Sequence, residues 1–261
     1  MERQATSKKR LDIKWDHPVP GGEEVLGFSA ALDEIRGKDA RPLIILRDCD
    51  SCKGRDDALL SRTLNNEKVL LLTHWFHCVK LDRRVVEEGH PYHSLFEGKN
   101  PPHVIFTCWD GSKVIPLSGK QPQKQVWSSL TSIMKIDYKK DPNLAIKNWR
   151  KILNNFDSLD SQLKEFRAQL EKMELKYGPG SSKAKKLSAK IAKLDKERTK
   201  VIADEKANMN LILRHAPKVK TEADFDAEAA AAVSSKKGSS LLDRLRKKSE
   251  KKTPGVPSGD Q

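Results

Sequence analysis

The chain has 261 residues, a third of them charged, and a formal net charge of +14 at pH 7. No apolar run approaches the roughly 18–20 residues needed to span a membrane, and Met1–Asp16 lacks the apolar stretch of a secretory signal. These features exclude a membrane-spanning helix and predict a soluble, cytoplasmic chain with no membrane partner. Four cysteines are too few for a disulfide framework at this length, so they are expected to serve as thiols, ligands or reagents. Basicity is concentrated at the rear: residues 1–138 carry a net +2 and residues 139–261 a net +12.

In chain order, residues 1–24 read as a flexible, charged lead-in, broken at Pro18, Pro20, Gly21 and Gly22. Leu26, Phe28, Ala31, Leu32 and Ile35 share a helical face. Leu43–Leu46 is a short β-branched apolar run suited to a buried strand. Cys49-Asp50-Ser51-Cys52 follows, and Ala58, Leu59, Leu60 and Leu64 predict a helix directly after it. That helix is interrupted near Asn65-Asn66 and ends at Val69–Leu72, before a strand over Trp75–Leu81. A loop rich in Gly, Pro and His spans Val86–Asn100. Pro101-Pro102 opens a strand, His103–Cys108, and Asp110-Gly111 is a hairpin turn into Lys113–Leu117, which Pro116 assigns to a sheet edge. Val126, Trp127, Leu130 and Ile133 mark a closing helix.

From Asp141 the pattern changes. Ile152, Phe156, Leu159, Leu163, Phe166, Leu170, Met173 and Tyr177 recur at alternating spacings of 4 and 3, a heptad seam. Gly178-Pro179-Gly180 ends that helix, and Ala184, Leu187, Ile191, Leu194 and Val201 form the stripe of a second, interrupted by Arg198. The expectation is an antiparallel coiled-coil hairpin over 141–215, each helix about 45–55 Å long. Such a hairpin should lean on the globular part, a second copy or an unidentified protein partner. Lys183, Lys185, Lys186, Lys190, Lys193, Lys196 and Lys200 make the second helix cationic, through a solvated face, non-specific contact with nucleic acid or an acidic partner. Residues 216–261 read as a disordered basic tail.

The order over 41–134 is strand, Cys49-x-x-Cys52, strand, Pro102-led strand His103–Phe106, Asp110-Gly111 turn, Val114-Ile115-Pro116-Leu117 and closing helix. This order resembles the thioredoxin superfamily. The resemblance implies an α/β domain over 25–138, with a thioredoxin-like central sheet flanked by helices. It also implies a cis-proline at Pro102 that contacts the backbone of a protein disulfide substrate, no cofactor, and a role in cell redox homeostasis. Two departures mark a divergent relative. Asp50-Ser51 stands where thioredoxins have Gly-Pro, and an apolar residue near Leu43 replaces a buried aspartate.

A thiolate, not a thiol, attacks a disulfide, and a helix N-terminus favours the anion. Cys49 is therefore expected to be the nucleophile, and Cys52, one turn on, the resolving thiol. Asp48 and Asp50 oppose ionisation, Lys53 and Arg55 offset them, and the balance points nearer a reductase than an oxidase. His74, His77 and Cys78 offer zinc-ligand types, but strand alternation puts His77 and Cys78 on opposite faces, so no metal is expected. Cys78 and Cys108 read as core residues. The reading is a thiol–disulfide oxidoreductase targeted by its hairpin. A non-catalytic adaptor and a nucleic-acid-associated protein are the alternatives.

Overall fold

The computed structural model describes residues 2–49 and 56–215; the sequence expectation for 216–261 and the residue Cys52 lie outside that range. Leu43–Arg47 forms β2, every residue of which is buried. An apolar strand with two buried faces needs cover on both, and the surrounding elements supply it. β2 pairs in parallel with β3 (His77–Leu81) and antiparallel with β4 (Val104–Thr107), with Leu43 opposite His77 on one side and Thr107 on the other. β4 continues into β5 (Val114–Leu117) across a turn closed by Gly111, whose φ of 70° an L side chain rarely adopts. Pro116 lies on the outer strand, where its missing N–H costs no ladder bond.

The alternation of β2 sorts the core. Leu43 and Ile45 face α2 (Phe28–Arg36), through Ala31, Leu32 and Ile35, and the loop residues Tyr92, Leu95 and Phe96. Ile44 and Leu46 face α3 (Glu67–Thr73), α4 (Gln123–Asp137) and the first half of α5 (Pro142–Tyr177). The result is a mixed α/β layer structure around a five-stranded sheet. The fifth strand, β1 (Trp15–Asp16), was not expected from the sequence; it pairs in parallel with the outer side of β3 at Cys78 and Val79.

The helix expected directly after Cys52 is not seen from Asp56 onward. Residues 56–66 hold one turn, in which Leu59 and Leu60 N–H both donate to Asp56 O, and the helix begins only at Glu67. The cause is side-chain competition for the backbone. Asn66 accepts from Ser61 N–H and donates to its carbonyl, and Asn65 Oδ1 accepts from Glu67 N–H. The first residue of α4, Gln123, fastens this turn by donating to Asn65 O and Asn66 Oδ1.

α5 and α6 (Ser182–Met209) form the expected antiparallel pair, about 54 and 42 Å long at 1.5 Å per residue. The hairpin is not a separate unit. Met1–Ala216 groups as one compact body, and Trp149 of α5 is buried against Trp75, ring centroids 5.0 Å apart, and His74, 4.6 Å apart. Tyr138 Oη donates to Trp75 O at 2.6 Å and Trp75 Nε1 donates to Met209 O at 2.9 Å. The chain leaving α6 returns to residues 137–140, with Lys139 and Lys140 N–H donating to Ile212 and Leu211 carbonyls.

Within the lead-in expected over 1–24, residues 2–16 make contacts with the rest of the chain. α1 (Ala5–Lys8) lies on the hairpin, with Ser7 buried and donating to Leu153 O. Arg10 pairs with Glu205 through two hydrogen bonds and covers the Phe156 ring at 4.1 Å. Arg198, which interrupts the apolar stripe of α6, is accounted for here: it donates to Thr6 Oγ1 and pairs with Asp160. Arg3 bridges Glu67 and Asp157, and Arg150 reaches the other oxygen of Glu67. Burial pushes the Glu67 carboxyl up, but the two guanidiniums outweigh it and hold the group below its ordinary value.

Two outcomes follow. Trp149→Ala should cost about 3–5 kcal/mol, and fluorescence and far-UV circular dichroism should still report one denaturant transition. Separate transitions for sheet and hairpin would contradict the shared core. For Glu67, a depressed folded pKa gives stability that is present above the usual 4.5 and lost as pH falls through the folded value. Glu67→Gln should therefore be less stable than the parent at neutral pH and show a shallower loss of stability below that pH, measured by urea midpoints.

Candidate active site

The candidate site is built on the end of β2. After four apolar residues the strand closes with Arg47, only 8% exposed. Its guanidinium has no carboxylate partner among the described residues. It donates instead to Pro102 O at 3.1 Å, Asp48 O at 3.2 Å and Pro101 O at 3.4 Å, and lies 5.9 Å from the Phe96 ring centroid. Burial pulls the Arg47 pKa below its ordinary value, though far too little to neutralise an arginine at neutral pH. One buried cation thus gathers carbonyls from both sides of the site, bringing the Pro101-Pro102 segment beside the residues leading into Cys49. The backbone agrees, since Arg47 N–H donates to His103 O at 2.9 Å.

Pro102 therefore lies where the sequence reading put it, beside the cysteine end of β2, but its peptide bond is not cis. Among the described residues no cis peptide bond occurs. Trans is the isomer an X–Pro bond prefers unless its surroundings enforce the other, and here both proline carbonyls are held by Arg47 in the trans arrangement.

Asp48 continues the β2–β3 ladder by donating its N–H to Leu81 O. Its carboxylate pairs with Lys80 Nζ at 3.3 Å, and the same ammonium reaches Asp56 at 3.1 Å. Lys80 so ties together the two shoulders of the 50–55 segment. Burial alone would pull this ammonium down, but the two carboxylates outweigh it and hold its pKa above the ordinary value. Asp48 is thereby partly neutralised, and its opposition to a nearby thiolate is weaker than its sequence position implies.

Cys49 is half-buried and disulfide-bonded. Cys78 and Cys108 are free and buried on β3 and just beyond β4, the two strands flanking β2. Burial pushes the Cys78 thiol up to about 12. Burial, with the charges of Asp137 and Asp110, pushes Cys108 up to about 11. Both are core residues, as the sequence implied.

Three of the histidines have structural partners. His74 Nε2 is 2.7 Å from Arg10 O and His77 Nε2 is 3.1 Å from Asp16 Oδ2. His103 Nδ1 accepts from Gly119 N–H, fastening the end of β5; burial, then the Arg47 charge, lowers its pKa. Among the described residues no three His, Cys, Asp or Glu side chains are grouped to hold a metal ion, and no helix is long and apolar enough to cross a membrane.

Sequence reasoning missed Arg47 and Lys80. The available signal was a cation at a buried strand position in each case: Arg47 ends the run Leu43–Leu46, and Lys80 interrupts Cys78–Leu81. Comparison with protein-family models, curated proteins and solved structures returns no match.

In the native, reduced protein at pH 8, iodoacetamide should leave Cys78 and Cys108 unmodified, both reacting only after unfolding. Peptide mass mapping of the labelled sites checks this, and fast native labelling of either would contradict their burial.

Proposed function

We propose that this chain is a divergent thioredoxin-like thiol–disulfide oxidoreductase that acts on protein disulfides through Cys49 and Cys52. The observation that carries this reading is a disulfide-bonded Cys49 two residues beyond the central strand, whose last residue, Arg47, holds the carbonyls of Pro101 and Pro102. The element order supports it as well. β2, Cys49, β3, a proline-led β4, a Gly111 turn, β5 and α4 follow the succession the resemblance implies, and β3 and β4 flank β2.

In the reducing direction, the Cys49 thiolate attacks one sulfur of a substrate disulfide. A mixed disulfide forms and the other substrate sulfur leaves as a thiolate, which takes up a proton. The Cys52 thiol, on losing its proton, attacks Cys49 Sγ and releases the second substrate thiol. The substrate gains two electrons and two protons, the enzyme retains a Cys49–Cys52 disulfide, and an external dithiol must reduce it for another turnover.

Electrostatics suit the first step. Arg47 supplies a buried positive charge two residues from the nucleophile, with no carboxylate partner among the described residues, while Lys80 occupies Asp48. Opposite charge nearby favours the thiolate.

Equilibration in glutathione buffers, followed by thiol trapping, should give a reversible two-electron transition that is lost in Cys49→Ser. A protein that forms no intramolecular disulfide at any poise would sink the catalytic reading and favour a non-catalytic adaptor.

A further inference from the structure

The hairpin carries a second feature that the redox reading does not use. From Lys183 to Lys200 the helix α6 holds seven lysines against two acids, Asp195 and Glu197. All seven lysines are exposed, and none forms an ion pair among the described residues. Asp195 faces α5, 3.9 Å from Arg167. Within the span only Lys193 and Glu197 place opposite charges at i,i+4, whereas Lys186 with Lys190 and Lys196 with Lys200 place like charges there, so the cations are far from balanced.

Their arrangement is regular. Lys186, Lys193, Lys196 and Lys200 recur at spacings of 7, 3 and 4 on the side away from the stripe that packs on α5 through Ala184, Leu194 and Val201, while Lys190 flanks that stripe with its ammonium 5.3 Å from the Phe166 ring centroid. At 1.5 Å per residue they span about 21 Å. Successive phosphates on one strand of a duplex are about 3.4 Å apart along its axis, so the row runs past about six of them. At the tip the array continues: the Lys176 and Lys183 ammoniums lie 5.2 and 4.9 Å from the centroid of the exposed Tyr177 ring.

The chemistry of this face selects among polyanions. A helix that lies in a membrane interface needs an apolar face free for lipid, and the apolar stripe of α6 is spent on α5. The outer face carries no aromatic or large aliphatic residue to anchor a protein partner. It also has no Asn, Gln or Arg to read base edges. What remains is a stiff row of point charges. We propose that the outer face of α6 binds the phosphate backbone of double-stranded nucleic acid without reading its sequence.

Fluorescence anisotropy of the full chain with a labelled duplex of about 20 base pairs, from about 50 to about 200 mM salt, tests this. The expected result is binding that weakens linearly in log–log form and is equal for two unrelated duplex sequences. The triple variant Lys186→Gln/Lys193→Gln/Lys200→Gln leaves every other basic residue in place. It should keep the parent's far-UV circular dichroism, lose at least about tenfold in affinity at low salt and lower the salt slope by about 2.7, three contacts at about 0.9 each. No binding at low salt would overturn the proposal. So would a triple variant that binds like the parent, which puts the contact elsewhere on the chain. Tighter binding to vesicles containing phosphatidylserine than to duplex would replace it with a membrane-surface role.

Discussion

Everything in this molecule is arranged around the two-sided burial of β2. Four consecutive aliphatic side chains, Leu43 to Leu46, contribute no polar atom to either face, so neither face can be left to water. One face is covered locally, by α2 and the loop that carries Tyr92 and Phe96. The other is covered by helices drawn from much further along the chain, and that makes the long hairpin part of the domain. Trp149 is the hinge of this arrangement, since it belongs at once to the first turns of α5 and to the core beneath the sheet.

The same burial creates the candidate site. A strand so apolar must end somewhere, and it ends on a charged residue that is still inside. Arg47 cannot shed its proton, so the fold surrounds it with carbonyl oxygens, and the nearest come from Asp48 and the two prolines at the entrance of β4. Lys80, one strand over, meets the same constraint by holding a carboxylate on each side of the 50–55 segment. One buried and one half-buried cation thus tie Asp48, which leads into Cys49, to the strand entrance at Pro101-Pro102 and to Asp56.

Much of this was legible in the sequence, for physical reasons that also explain the rest. The strands announced themselves by β-branched runs and by Gly and Pro at their ends, and the hairpin by its heptads. The seam continues in phase back through Trp149 to Ala145, where it packs beneath the sheet as well as against α6, whose Asn208 donates to Ala145 O. Periodicity reports that a face is buried and is silent about what buries it, so sheet and hairpin read as separate domains. The helix expected after Cys52 failed because apolar spacing at Ala58–Leu64 outweighed Ser61, Asn65 and Asn66, whose side chains take the backbone bonds a helix would use. α1 and β1, at four and two residues, are too short to carry a period at all. The closeness of Pro102 to the end of β2 rests on Arg47, a contact made 55 residues away in sequence.

The docking of the first residues has a consequence in time. Arg10 meets Glu205, and Thr6 meets Arg198, across separations of 195 and 192 residues. Ribosomes extend chains at about 5–20 residues per second, so the segment around α1 waits on the order of 10–40 s for α6 to be made. α5, whose surface receives Ser7 and Arg10, is itself made only late in that interval. A segment made well before either helix of the hairpin is thus completed only once both exist.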